Sequence, residues 1–200
     1  MDETHGGKYM EQPLKTEDLL ALLRQVYLDC DNSMRERFKR SLSFQDTILD
    51  RWDRAIRLGF APDASIYNSA SVFGEVTVGT ATWIGPNALL DGSGGGISIG
   101  RFCSISSGVH IYTHDTVMWA LTGGKRPRNT KRVDIGDNVY IGSQSIVAPG
   151  VSIGSKCVIG ANSFVNRDVN EFAIVAGSPA KEIGRVIEQG DSVLLDYFQK

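Results

Sequence analysis

Residues 135–170 read IGDNVY, IGSQSI, VAPGVS, IGSKCV, IGANSF, VNRDVN. An aliphatic residue opens each block of six: Ile135, Ile141, Val147, Ile153, Ile159, Val165. Four places later comes a small or β-branched residue, in turn Val139, Ser145, Val151, Cys157, Ser163 and Val169. The second place is small: Gly136, Gly142, Ala148, Gly154, Gly160. A helix repeats near 3.6 residues and a half-buried strand near 2, so neither explains a strict six. Six is the period of a triangular solenoid, each hexad giving one flat side and one corner. The aliphatic and small residues then face the axis, and glycine at the second place is expected to supply the corner dihedrals.

The phase extends backward through Ile66, Val72, Val78, Ile84 and Leu90, with Ala70, Val76, Thr82 and Ala88 at the inner small position. Gly92-Ser93-Gly94-Gly95-Gly96 then shifts it by three residues and reads as a flexible bulge. The repeat resumes at Ile99, Ile105 and Ile111, with Cys103 and Val109 inside. Residues 115–132 leave it again as an excursion loop carrying Trp119, Gly123-Gly124 and the basic set Lys125, Arg126, Arg128, Lys131 and Arg132. A rod of stacked coils has open sheet edges at both ends, and these need caps.

Three segments follow: an N-terminal helical extension over 1–62, the solenoid over 63–187, and a tail over 188–200 that reads as helical. Met1 to Pro13 is polar and expected to fray. Thr16 with Asp18 starts a helix whose apolar set is Leu19, Leu20, Leu22, Leu23, Val26 and Tyr27, with a polar break expected at Asp31-Asn32-Ser33. Ser43 opens a second helix, Phe44 to Leu58, stopped by Gly59. Arg35, Arg37, Lys39 and Arg40 read as a solvated face or a phosphate contact.

The 200 residues suit one domain with an appendage. A net charge of −2 argues against a nucleic-acid binder. The scattered cysteines Cys30, Cys103 and Cys157 form neither a metal pattern nor a disulfide framework, and the last two read as buried thiols. No apolar run reaches the length of a membrane span and no leader is recognisable, which places the chain in the cytoplasm as an expectation.

The hexads resemble those of the hexapeptide-repeat acyltransferases, a family of left-handed parallel β-helices that assemble as trimers. Gly108-Val109-His110-Ile111-Tyr112-Thr113-His114 is similar to the active-site coil of the branch that acetylates maltose, galactosides, nodulation factors and polysaccharides. Val175-Ala176-Gly177-Ser178-Pro179-Ala180-Lys181 is similar to the closing turn of that family. The fold implied is mainly β, a left-handed β-helix with an N-terminal α-helical extension. The activity implied is transfer of acetyl from acetyl-CoA to a sugar hydroxyl, without a metal.

By the same resemblance His114 is the general base, a role that suits imidazole because it titrates near working pH. Asp115 either orients His114 or caps the loop. Acetyl-CoA is expected along small corner residues, Gly142, Ser143, Gly160 and Ala161, with Asn166 and Arg167 a coil further. Its adenine end would meet Pro179 and Ala180, and its phosphates Lys181 and Arg185. Asn87, Asp91, His110 and Trp119 are candidate acceptor contacts; Asn87 also suits a corner, His110 also decorates the wall, and Trp119 also anchors a loop. Competing readings are N-acetylation of an amino-sugar nucleotide and a noncatalytic scaffold. A zinc site of the γ-carbonic-anhydrase kind needs three histidines, and only His110 and His114 lie in the coils.

Overall fold

A computed structural model describes residues 15–198. The expected fraying of Met1–Pro13 and the position of His5 lie outside the described residues. The chain forms two compact units, the first ending at Ile48 and the second beginning at Leu49.

In the first unit, helix α1 runs Thr16–Phe38 without the expected break at Asp31-Asn32-Ser33. Such residues cost only about 0.7 kcal/mol each in a helix. Here Tyr27, Cys30, Asp31 and Met34 fall on one stripe and are wholly or partly buried, so packing outweighs propensity. Lys39, in the left-handed region, ends the helix by donating its N–H to Arg35 O at 3.1 Å. Helix α2, Phe44–Ile48, packs through the Phe44 ring, 5.8 Å from Tyr27. Leu19, Leu20, Leu22, Leu23 and Val26, expected as a buried face, are exposed.

The expected helix 44–58 is two helices. Asp50 interrupts it, because its carboxylate accepts the N–H groups of Trp52 (2.8 Å) and Asp53 (2.9 Å) and starts α3, Arg51–Arg57. In the second unit α3 caps the N-terminal end of the solenoid. Arg54 donates to the carbonyls of Tyr67 and Ala70, and Ala55 is fully buried.

The solenoid has three faces of parallel strands. On the first, the register stacks Ile66, Ile84, Ile105, Ile141, Ile159 and Val175. On the second it stacks Val72, Leu90, Ile111, Val147 and Val165. On the third come Val78, Ile99, Ile135, Ile153 and Val169. The six-residue phase therefore names these stacks except for Val169 and Val175, which stand outside its aliphatic series, and this curled, mostly parallel sheet is consistent with a left-handed β-helix. Both interruptions fall at the same corner, between the second and third faces. The glycine segment there is no loose bulge: Leu89–Ile99 is one strand bent around the corner against Ser71–Val78.

The corner roles differ from expectation. The left-handed residues stand three places after the aliphatic, at Ala81, Asn87, Phe102, Asn138, Gln144, Lys156 and Asn162. The second-place glycines have ordinary φ and are needed for clearance. A Cβ on Gly142 would lie 2.5 Å from Ala161 N, and one on Gly79 2.6 Å from Arg101 N.

The tail is a β-hairpin rather than a helix. Lys181–Gln189 pairs with Ala173–Ala176 and then with Ser192–Tyr197. The two-residue turn Gly190-Asp191, with Gly190 at φ 60°, is a hairpin signal that the sequence already carried. No described helix is long and apolar enough to cross a membrane.

Candidate active site

Thr113 is fully buried where the excursion leaves the coil, and it ties two coils together. Its hydroxyl donates to Asp91 O at 2.6 Å and accepts from Gly94 N at 2.8 Å. Its own N–H also donates to Asp91 O, and its carbonyl accepts from Lys131 N at 2.8 Å. Both ends of the excursion are thus pinned at one residue. His114 and Asp115 pair antiparallel with Thr130 and Asn129, closing the loop as a hairpin around the short helix α4, Val117–Leu121.

The side chain of His114 is mostly buried and faces the coil beneath it. Its Nδ1 lies 3.5 Å from Asp91 Oδ2 and 3.4 Å from Ser93 Oγ. Ser93 spends its hydroxyl proton on Asp91 Oδ1 at 2.7 Å, and its N–H donates to the same oxygen at 3.1 Å. Both neighbours of Nδ1 therefore present acceptors. The network assigns the imidazole proton to Nδ1 and leaves the Nε2 lone pair without a partner among the described residues. Arg128, on the return of the loop, donates to Ser93 O at 3.0 Å.

Asp115 takes its loop-capping alternative. Oδ1 accepts from Val117 N and Oδ2 from Asn129 Nδ2, each at 3.0 Å. The Asn129 hydrogen bond, then that from Val117, holds its carboxyl below the usual aspartate range. The acidic partner of His114 is Asp91, which sequence reasoning had put among acceptor contacts. Ser93, Thr113 and Arg128 were missed. Register could have found the first two: the coil there is 21 residues long, so Asp91 pairs with Tyr112, and the same offset sets Gly92 beside Thr113 and Ser93 beside His114.

The other candidates divide by position. His110 points outward on the second face with Tyr112 Oη 3.3 Å from its Nδ1. Asn87 is a left-handed corner residue between the first and second faces. Trp119 lies on α4, about half exposed, and its carbonyl accepts from Gly124 N at 2.8 Å.

Gly142 with Ser143, and Gly160 with Ala161, stack on consecutive coils at the corner between the first and second faces, where Asn162 N donates to Ser143 O at 2.8 Å. The closing turn lies along the second face, Ala180 N donating to Phe164 O at 2.8 Å. Lys181 begins the hairpin, and Arg185 is engaged with Glu182 at 3.1 Å. Asn166 and Arg167 sit at the opposite edge of the second face, the corner from which the His114 excursion departs. The structure therefore does not gather the expected cofactor set into one patch of one chain. Among the described residues no group of three His, Cys, Asp or Glu side chains could hold a metal.

Comparisons with known proteins agree with this fold. The hexapeptide repeat of succinyl-transferase matches residues 132–167. Chloramphenicol acetyltransferase of Escherichia coli is 37% identical over 117 residues, covering 49% of this chain and 56% of the relative. Protein CapG of Staphylococcus aureus is 43% identical over 109 residues, covering 52% and 62%. The chain thus spans only 56% and 62% of the length of these two curated relatives. Among solved structures, a variant of AntD, an N-acyltransferase from Bacillus cereus in complex with dTDP and coenzyme A, superposes with a TM-score of 0.56 at 27% identity, covering 63% of this chain and 83% of that one. A hexapeptide-repeat acetyltransferase of Vibrio cholerae complexed with acetyl coenzyme A gives 0.59 at 23% identity, covering 88% and 93%, a likeness of fold.

Proposed function

We propose that this chain, which belongs to the hexapeptide-repeat acyltransferase superfamily, moves an acetyl group from acetyl-CoA to an amino group on a sugar-like acceptor. The observation that carries acyl transfer as such is the relay Asp91–Ser93–His114 at the root of the excursion loop. Nδ1–H is held by two acceptors, so Nε2 is available to take a proton from the nucleophile as it attacks the thioester carbonyl. The C–S bond then breaks, and that proton leaves with the thiolate as the free thiol of CoA. Exposed small residues, Ser143 and Ala161, keep one edge of the second face clear of bulky side chains, as a long pantetheine arm requires.

Transfer to nitrogen is placed first because the AntD variant, an N-acyltransferase, is similar over most of its length. Transfer to a hydroxyl is the second reading, and the relay itself favours it: an alcohol must lose its proton during attack, whereas a neutral amine attacks first. In one chain the relay and the small-residue edge lie on opposite sides of the second face. We therefore place the working site between subunits of a homotrimer, one copy supplying His114 and its neighbour the small-residue edge.

The deciding experiment offers acetyl-CoA with paired amino and hydroxy sugars and reads products by mass spectrometry, with His114→Ala in parallel. Acetylated amine from wild type, reduced in the variant, supports the first reading. Acetyl ester alone moves the assignment to the second. No transfer to either class, with intact trimers, removes both.

A further inference from the structure

The excursion loop reverses the sign of the molecule. Residues 115–132 hold five cations against one carboxylate, Asp115, for a net of +4. The chain as a whole carries −2, so the other 182 residues sum to −6. Composition does not explain such a concentration.

Two of the five are already engaged. Arg132 Nε is paired with Asp134 at 2.7 Å, and the stem of Lys131 lies against Gly150, where an added Cβ would be 2.6 Å from its Cδ. Arg128 commits one nitrogen to Ser93 O, which places its guanidinium beside the residue that touches His114. Lys125 and Arg126 are exposed and have no ion pair or side-chain hydrogen bond among the described residues. Asp115 forms no ion pair with them: its two oxygens accept from Val117 N and Asn129 Nδ2. Trp119, about half exposed, belongs to the same loop.

From this we infer that the excursion loop binds a phosphate group carried by the acceptor, through Arg126, Arg128 and Lys125, with Trp119 against the attached ring. Two guanidinium forks match the paired oxygens of a phosphate, and an ammonium adds a point charge. The acceptor rather than the donor is chosen because Arg128 holds Ser93, which touches His114, so these cations lie near the base, whereas the phosphates of CoA are separated from the reacting thioester by the whole pantetheine arm. The phosphate belongs to either a nucleoside diphosphate sugar or a sugar monophosphate. What it is attached to rests on the acyltransferase reading; the anion site does not.

The test is calorimetric titration of the full chain with inorganic pyrophosphate, uridine diphosphate, glucose 1-phosphate, glucose and CoA. The proteins are wild type, the double variant Lys125→Gln/Arg126→Gln, and Trp119→Leu. Wild type should prefer the phosphates to glucose, and the double variant should bind them at least about tenfold more weakly with CoA affinity unchanged. Tighter uridine diphosphate than glucose 1-phosphate, lost in Trp119→Leu, assigns a nucleotide; the reverse order assigns a sugar monophosphate. Equal binding of glucose and phosphates, or an unaltered double variant, overturns the inference. So does a parallel loss of CoA affinity, which gives the cations to the donor, or dissociation of the oligomer, which gives them to a subunit contact. Failure of CoA to bind while the phosphates do would instead count against the acyltransferase reading.

Discussion

Asp91 Oδ2 lies 3.5 Å from His114 Nδ1, although the two residues are a full coil apart in the chain. The carboxylate is itself held by both the N–H and the hydroxyl of Ser93. Asp115, the nearer residue in sequence, points into its own loop.

That contrast separates two aspartates by activity. Asp91→Asn should lower kcat/KM for acetyl transfer by about 10²–10³-fold, since the amide keeps the shape and no longer fixes the imidazole tautomer. Asp115→Asn should stay within about threefold, because an amide oxygen still accepts from Val117 N. Equal losses in steady-state assays would remove Asp91 from the relay.

Gly94 sets the height of the base. An added Cβ would stand 2.4 Å from Thr113 O and 2.6 Å from His114 Cβ, neither of which is the movable end of a flexible side chain. Gly94→Ala should cost about 1–3 kcal/mol in urea denaturation. The surviving folded enzyme should be slower still, because His114 moves with Thr113. Gly59→Ala, facing open space at φ 73°, should cost only the backbone strain of about 1–2 kcal/mol and leave activity unchanged.

The two glycine roles at the corners predict substitutions of opposite sign. Gly142→Ala drives a methyl against Ala161 N at 2.5 Å and should destabilise by about 1–3 kcal/mol. Ala81→Gly, at φ 56°, relieves a left-handed residue and should stabilise by about 1 kcal/mol. Chemical denaturation of the two single variants checks both signs.

Burial pushes the Cys157 thiol up to about 11, and Cys103 is raised for the same first reason. Between about pH 9 and 11 an unfolded chain has released the Cys157 proton while the folded chain keeps it. Stability contributed by the neutral thiol is therefore complete below pH 9 and lost as pH rises through 11, about 2–3 kcal/mol in all. Denaturation midpoints should fall through this window in wild type, and by less in Cys157→Ala. With a thiol reagent at pH 8, Cys30, partly exposed, should react ahead of Cys103 and Cys157, which are buried.

The hexad periodicity is enough to set the axis of the molecule. Ile66, Ile84, Leu90, Ile105, Ile111, Ile141, Val147 and Ile159 are all fully buried as the hexad phase requires, because a repeated pattern packs only against copies of itself. Where the repeat stopped, local signals competed. Asp50 overrode a continuous helical pattern by capping. Asp31, Asn32 and Ser33 failed to break α1, because their neighbours on that stripe are packed.

Which residues meet at the site depends instead on how the coils stack. The three-residue lengthening after Leu90 and the excursion after His114 looked like separate irregularities; register stacks them at one corner. That stacking sets Asp91 and Ser93 beneath His114 and gives the glycines room to let it in. A hydrogen bond between coils depends on the length of everything between its partners, and a chain read along its length shows spacing before it shows proximity. The same cause hid the role of the second-place glycines, whose missing side chains leave space for the next coil rather than freedom for their own.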